Sequence, residues 1–214
     1  MARPSLSKQQ IEKERLRLSR VALSLFRKKG YEAVSLRKLA AAAGVSYAHP
    51  YSYFASKEEL FAHLRADLVR HFARFIIDPS LSIKDPVMRI RHVLHKFVEF
   101  VILHPEDYRL IFSLRQPDPQ KYPELFTARQ ALMLPMLNVF QEAIDSQLLD
   151  GDAVVQAHIV WAAVHGLLSL HASNQLTYGR DLAALVDPTI DRFLSSSKTI
   201  VRRGKVKSRV QEYK

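Results

Sequence analysis

Apolar side chains recur along this chain at helical rather than strand spacing. Leu18, Val21, Ala22, Leu25 and Phe26 fall at i, i+3, i+4, i+7 and i+8, one face of a helix. Ahead of them Ser7-Lys8-Gln9-Gln10 has the S-x-x-Q form of a capping box, so the helix is expected to open there. Arg27, Lys28 and Lys29 suit the negative end of its dipole, and Gly30 ends it. A shorter helix follows, with Ser35 as N-cap, Leu36, Leu39, Ala40 and Ala43 as its apolar face, and Gly44 as a left-handed stop before Val45. Ser46 is placed to cap a third helix. Its helical phase turns Tyr47, His49 and Tyr53 outward and Tyr51 and Phe54 inward, while Pro50 forfeits about one backbone hydrogen bond.

Ser56-Lys57-Glu58-Glu59 is a second capping box and opens a long helix expected to run to about Ile77, with Leu60, Leu64, Leu68, Phe72 and Phe75 as its buried stripe. Another helix is expected from Pro86 to Leu103, with Val87, Ile90, Leu94, Phe97, Val98 and Val101 inward. Pro105, Glu106 and Asp107 start a short helix, and residues 115–123, with three prolines, read as a loop. A helix over Pro123–Leu148 carries Met133, Met136, Leu137 and Phe140 on one face, with a kink or break expected near residue 131 because of Pro135. Asp150-Gly151-Asp152 turns the chain into a helix over 153–176. Along it Ala162, Gly166, Ser169 and Ser173 form a stripe of small residues that suits close approach by another helix. Asp187-Pro188 is expected to open the last helix. No segment alternates convincingly and nothing repeats. The expected fold is all-α, with nine or ten helices.

Charge divides the chain more sharply than its total of +11 suggests. Residues 1–57 hold 12 Lys/Arg against 3 Asp/Glu, residues 58–195 hold 13 against 17, and residues 196–214 hold 7 against 1. A basic N-terminal segment beside a mildly acidic middle suits a polyanionic partner for the first alone. The basic tail has little apolar content to bury, and an accessory nucleic-acid contact is one use for it. The absence of cysteine removes disulfides, thiolate metal sites and cysteine nucleophiles, and fits a reducing cytoplasm. No apolar run seems long enough for a membrane span and the N-terminus lacks a signal-peptide core, so a cytoplasmic protein with no membrane partner is expected.

Two short helices joined at Gly44 describe a helix-turn-helix, whose second helix enters a DNA major groove. With its flanks LFRKKGYEAVS and YSYFASKEEL, the stretch over about residues 11–62 resembles the DNA-binding domain of TetR-family transcriptional repressors. The chain departs from the family at Tyr47-Ala48-His49-Pro50, where a Lys-Gly-Thr-Leu-like run is usual. The resemblance implies three parts: a helix-turn-helix domain (1–57), a ligand-binding and dimerisation domain (58–197) and a basic tail (198–214). It also implies a homodimer on a palindromic double-stranded operator. The candidate DNA contacts are Ser35, Arg37, Ser46, Tyr47, Ala48, His49, Ser52, Tyr53 and Lys57, with Lys57 on a phosphate.

HPEDYRLIF (104–112) and WAAVHGLLSL (161–170) resemble the regulatory domain of a TetR branch with a Trp-x-x-x-His-Gly signature, here Trp161, His165 and Gly166. Trp161 and His165 are neighbours on one helix face. They fit either a hydrogen-bonded core or dimer interface, or a polar fixture in a ligand cavity. Candidate lining residues for a small hydrophobic effector are Phe97, Val101, Phe112, Met133, Phe140, Trp161 and His165. No charged residue is evident on those inward faces, so a neutral or weakly charged effector is expected. Neither His92 with His95 nor His158 with His165 comes with a third ligand at usable spacing, so neither metal nor cofactor is expected. No catalytic constellation is visible, so no enzyme activity is expected. The competing readings are an enzyme or small-molecule binder without an operator, and a DNA-binding assembly protein without a ligand.

Overall fold

The computed structural model describes residues 7–113 and 117–196. The N-terminal arm with Arg3, three residues of the proline-rich loop and the basic tail lie outside them. The described residues form eight α-helices and no strand: α1 (Lys8–Lys29), α2 (Leu36–Ala43), α3 (Lys57–Ile77), α4 (Pro86–Leu103), α5 (Pro105–Tyr108), α6 (Pro123–Asp145), α7 (Ala153–Ala172) and α8 (Leu182–Ser196). Short 3₁₀ turns lie at Pro50–Ser52, Asp78–Ser80 and Pro119–Lys121, and a π turn at Arg109–Ser113. The all-α expectation holds, and the separate helices are fewer than the nine or ten expected.

The chain folds into two compact units, one of Met1–Asp78 with Glu99–Met133 and the other of Pro79–Val98 with Leu134–Lys214. In the first, Leu18, Ala22 and Phe26 of α1 and Leu36, Leu39 and Ala40 of α2 form a closed core with Phe54. Phe61 of α3 meets Phe26 edge-on at 5.5 Å and Tyr31 at 4.4 Å between ring centroids. The reading of α3 as a single stripe understates it. From Leu60 to Ala66 the helix is buried on every side, His63 and Arg65 included. Further along, Phe72 meets Phe100 at 4.8 Å and Phe112 at 5.5 Å, and Phe112 meets Tyr108 at 5.4 Å.

In the second unit α7 packs on α8, with Val160, Val164, Leu167 and Leu168 buried on one helix and Leu182, Val186, Ile190 and Phe193 on the other. Phe140 of α6 reaches Phe193 at 6.2 Å. Arg89 of α4 pairs with Glu142 at 2.8 Å, Arg91 with Asp191, and His95 with Asp187 at 3.1 Å.

Several helix ends depart from expectation for local reasons. α8 begins at Leu182, where Asp181 accepts the Ala184 N–H at 2.9 Å, and Pro188 sits inside it. Asp187 is turned to His95 instead of capping. α7 stops at Ala172, because Asn174 takes a left-handed φ of 55°. α6 does not break near residue 131: it runs through Pro135 and ends at Asp145, ahead of Gln147 at φ 57°. α7 is also long and apolar enough, by length and composition, to cross a membrane, contrary to the expectation that no run approaches that size. A helix apolar all round is one whose two faces are both to be covered.

Candidate functional site

The turn between α2 and α3 is built from local bonds. Ser35 caps α2 by accepting the Lys38 N–H at 3.2 Å. Gly44 takes the left-handed conformation (φ 66°, ψ 33°), and the Val45 N–H donates back to the Ala40 carbonyl at 3.0 Å. The α-helix expected from Ser46 does not form. Instead the His49 N–H donates to Ser46, Ser52 to His49 and Tyr53 to Pro50, each spanning three residues, before Phe54 closes on Pro50 at 2.9 Å. Pro50 brings no N–H to a four-residue spacing, and its ring occupies the buried position instead.

That change of phase moves side chains. Phe54 is fully buried as expected, but Tyr51 is 46% exposed rather than inward. Its ring lies 5.4 Å from that of Tyr47, and the two hydroxyls are 3.3 Å apart. His49 is held sideways, with Nε2 2.8 Å from the Glu14 carboxylate of α1. Glu14 also accepts from Arg17 Nε at 3.0 Å, and these bonds are the main reason its carboxyl is held down to about 2. Arg17 in turn donates to the Ala43 carbonyl at 3.3 Å, and Arg15 to the Tyr53 carbonyl at 3.1 Å while lying 4.7 Å over the Phe54 ring. The first helix thus grips the turn through Arg15, Arg17 and Glu14.

Ser35, Arg37, Ser46, Tyr47, Ala48 and Ser52 are exposed, and Tyr53 is half-buried. Arg37 and Tyr47, with Ala40, Ala41 and Val45, line an open hollow beside the turn. Lys57 lies with Nζ 3.9 Å from the Tyr31 ring centroid and donates to the Glu32 carbonyl at 3.5 Å. Its ammonium is therefore supported at the mouth of α3.

The seven candidate effector residues do not fall in one unit: Val101, Phe112 and Met133 belong to the first, Phe97, Phe140, Trp161 and His165 to the second. Val101, Phe97 and Phe140 are buried, and Phe112 and Met133 half-buried. Trp161 is 41% exposed, with His165 at 6.0 Å between ring centroids and His158 at 6.2 Å. Burial lowers the His165 pKa. Among the described residues no group of three or more His, Cys, Asp or Glu is placed to hold a metal ion.

Sequence reasoning missed the buried polar groups of the first unit, and the expectation of no charge on inward faces is corrected by Arg65. This residue is fully buried, and its Nε donates to the Leu110 carbonyl at 2.8 Å. The signal was present: Phe61, Arg65, Leu68 and Phe72 recur at i, i+4, i+7 and i+11. Asp107 of α5, 3% exposed, takes both oxygens to Arg27 of α1, at 2.8 and 2.6 Å. His63 of α3, also buried, meets Glu124 of α6 at 2.6 Å.

Two family models match the chain. Residues 18–64 match the bacterial regulatory proteins of the tetR family, and residues 90–193 match the tetracyclin repressor-like C-terminal domain. No curated protein matches it. Among solved structures, a protein of unknown function from Rhodococcus sp. RHA1 is 24% identical, with a TM-score of 0.74 over 86% of this chain and 95% of that one. A putative TetR-family transcriptional regulator from Vibrio parahaemolyticus is 20% identical, with a TM-score of 0.67 over 85% and 97%. The transcriptional regulator FadR from Bacillus subtilis, solved with stearoyl-CoA, is 17% identical, with a TM-score of 0.68 over 84% and 97%. These likenesses fix the fold; the two consecutive family models, on the two halves that carry the turn and the helical core, fix the kinship. The chain belongs to the TetR family of DNA-binding transcriptional regulators.

Proposed function

We propose that this chain is a homodimeric repressor that binds a palindromic operator and is released by a small hydrophobic effector. The observation that carries the dimer is the second face of α7. Val155, Ile159 and Leu170 are 53%, 51% and 42% exposed there, beside Ala162, Gly166, Ser169 and Ser173. A Cβ built on Gly166 would meet nothing within the subunit, so the space over the stripe is open to a partner helix. A second copy covers an apolar helix face of this kind with its own, and the two-fold axis gives the operator its symmetry.

In this reading residues 1–57 are the reading head, residues 58–197 sense the effector and the tail from 198 is accessory. Exposed Tyr47 and Tyr51 meet bases, Ser35, Arg37, Ser46, Ala48, Ser52 and Tyr53 line the contact, and Lys57 takes a phosphate. His49 positions the turn from behind through Glu14. Trp161 and His165 lie on α7 next to the small stripe, which suits an interface role. The buried rings around Phe112 and Val101 suit an apolar effector, and the stearoyl-CoA held by the B. subtilis FadR supports a lipid-like class. Release needs effector and DNA to prefer different arrangements of the dimer, since a ligand with equal affinity for both shifts nothing. The Arg27–Asp107 and His63–Glu124 pairs supply bonded routes for that preference from α5 and α6 to α1 and α3.

Sedimentation at micromolar concentration, followed by an operator-release screen of lipid-like and aromatic compounds, tests the reading. A dimer whose selected operator is released by one of these classes is expected. A monomer, or a dimer that none of them releases, contradicts it.

A further inference from the structure

Arg65 stands on the α3 face that carries Phe61, Leu68 and Phe72, and its guanidinium carbon lies 4.5 Å from the Phe61 ring centroid. Nε and a terminal nitrogen both donate to the Leu110 carbonyl on the π turn. A second guanidinium, that of half-buried Arg129 on α6, acts on the same place. Burial first, and the like charge of Arg129 second, bring the Arg65 pKa down to about 10. Burying one guanidinium is costly, and setting another positive charge beside it adds to the cost. An anion arriving between them reverses the sign of that interaction.

We infer that Arg65 and Arg129 form a head-group site, and that the effector is a single-chain amphiphile with an anionic head, a carboxylate or a phosphate monoester. This rests on the effector-released reading above and narrows its ligand class. The tail lies among the rings that flank Leu110 on the same turn, Tyr108 and Phe112, and their neighbours Phe72 and Phe100. The head competes with a neutral carbonyl for the Arg65 guanidinium, and a charged acceptor forms hydrogen bonds roughly twice as strong. Leu110 is three residues from Asp107, whose carboxylate holds Arg27 at the last turn of α1. An anion that draws Arg65 from Leu110 therefore loosens the turn that anchors the reading head, which a neutral hydrocarbon of the same length does not do.

The test uses the full-length chain with dodecanoate, dodecyl phosphate and dodecanol below their micelle concentrations. Calorimetry reads binding, and fluorescence anisotropy of a labelled operator reads release. At least one anionic ligand is expected to bind about tenfold or more tightly than the alcohol, in keeping with the strength of hydrogen bonds to charged groups. Preference for dodecanoate assigns a carboxylate head, and preference for dodecyl phosphate a phosphate head. Arg129→Gln, at a half-buried position, should bring the anions down to the level of the alcohol and leave the alcohol unchanged. Arg65→Lys, where it folds by circular dichroism, should do the same. Three ligands binding alike, or Arg129→Gln weakening the alcohol as much as the anions, overturns the head-group site and leaves the effector reading standing. Binding by none of the three overturns both for single-chain amphiphiles.

Discussion

Removing Arg27 should cost the protein more than removing the charge of Asp107, although the two share one pair of bonds. Asp107 is 3% exposed and gives both oxygens to Arg27, while the Arg27 side chain remains 44% exposed. Arg27→Met leaves a carboxylate buried without its cation. Breaking a fully buried pair costs about 3–5 kcal/mol, and water on the arginine side reduces that to about 2–3 kcal/mol here. Asp107→Asn leaves the guanidinium half in water and keeps an acceptor oxygen, so about 1 kcal/mol is expected. For a chain of this size about 1 kcal/mol moves Tm by roughly 2–4 °C, so Arg27→Met should melt roughly 5–10 °C lower. Thermal melts at one fixed protein concentration, on the wild type, both single variants and the double variant, give the pairwise coupling directly. Arg27→Met within about 0.5 kcal/mol of wild type, or strictly additive singles, would refute the reasoning.

Three further outcomes follow from the same bonds. Lys57→Ala should weaken binding to every DNA sequence alike and lower the salt slope by about one ion, and a changed operator preference in selection experiments would contradict the phosphate role. Glu14 has a folded-state pKa of about 2, held low first by Arg17, so its contribution is present above the unfolded value of about 4.3 and lost as pH falls toward 2. Glu14→Gln should therefore flatten the acid limb of stability in that window, and an unchanged limb by acid titration contradicts the assignment. Gly166→Leu should leave the subunit folded but overpack the α7 face, costing about 1–3 kcal/mol of association by sedimentation; an undiminished dimer means the interface lies elsewhere.

What the sequence made legible is what local chemistry decides. Ser7, Ser35, Ser56 and Asp152 each bond a backbone N–H three residues on, and Gly44 takes the conformation that only its lack of a Cβ makes easy. These contacts lie within a few residues, so helix starts and the central turn were readable. Pro50 was noticed, but its consequence depended on which residue then filled the core; the proline did, and Tyr51 turned out. Asp187 had the form of a cap and spent its carboxylate on His95, 92 positions away along the chain. Arg27 with Asp107 and Arg65 with Leu110 are 80 and 45 residues apart. Such pairs leave no periodic trace, so the most informative part of the regulatory half appeared only with the fold. α7 carried the opposite problem: a helix apolar on both faces hides its phase, because the second face answers to a partner.

The most direct test of the central claim compares this protein's affinity for a duplex recovered by selection from genomic DNA with its affinity for a random duplex, at physiological salt. Fluorescence anisotropy gives the ratio and sedimentation of the same mixture gives the stoichiometry. Two chains per selected duplex and a preference of about a thousandfold or more are expected, the range of sequence-specific regulators. A ratio near one, with occupancy growing with duplex length, would contradict it and reduce the basic head to a sequence-blind polycation.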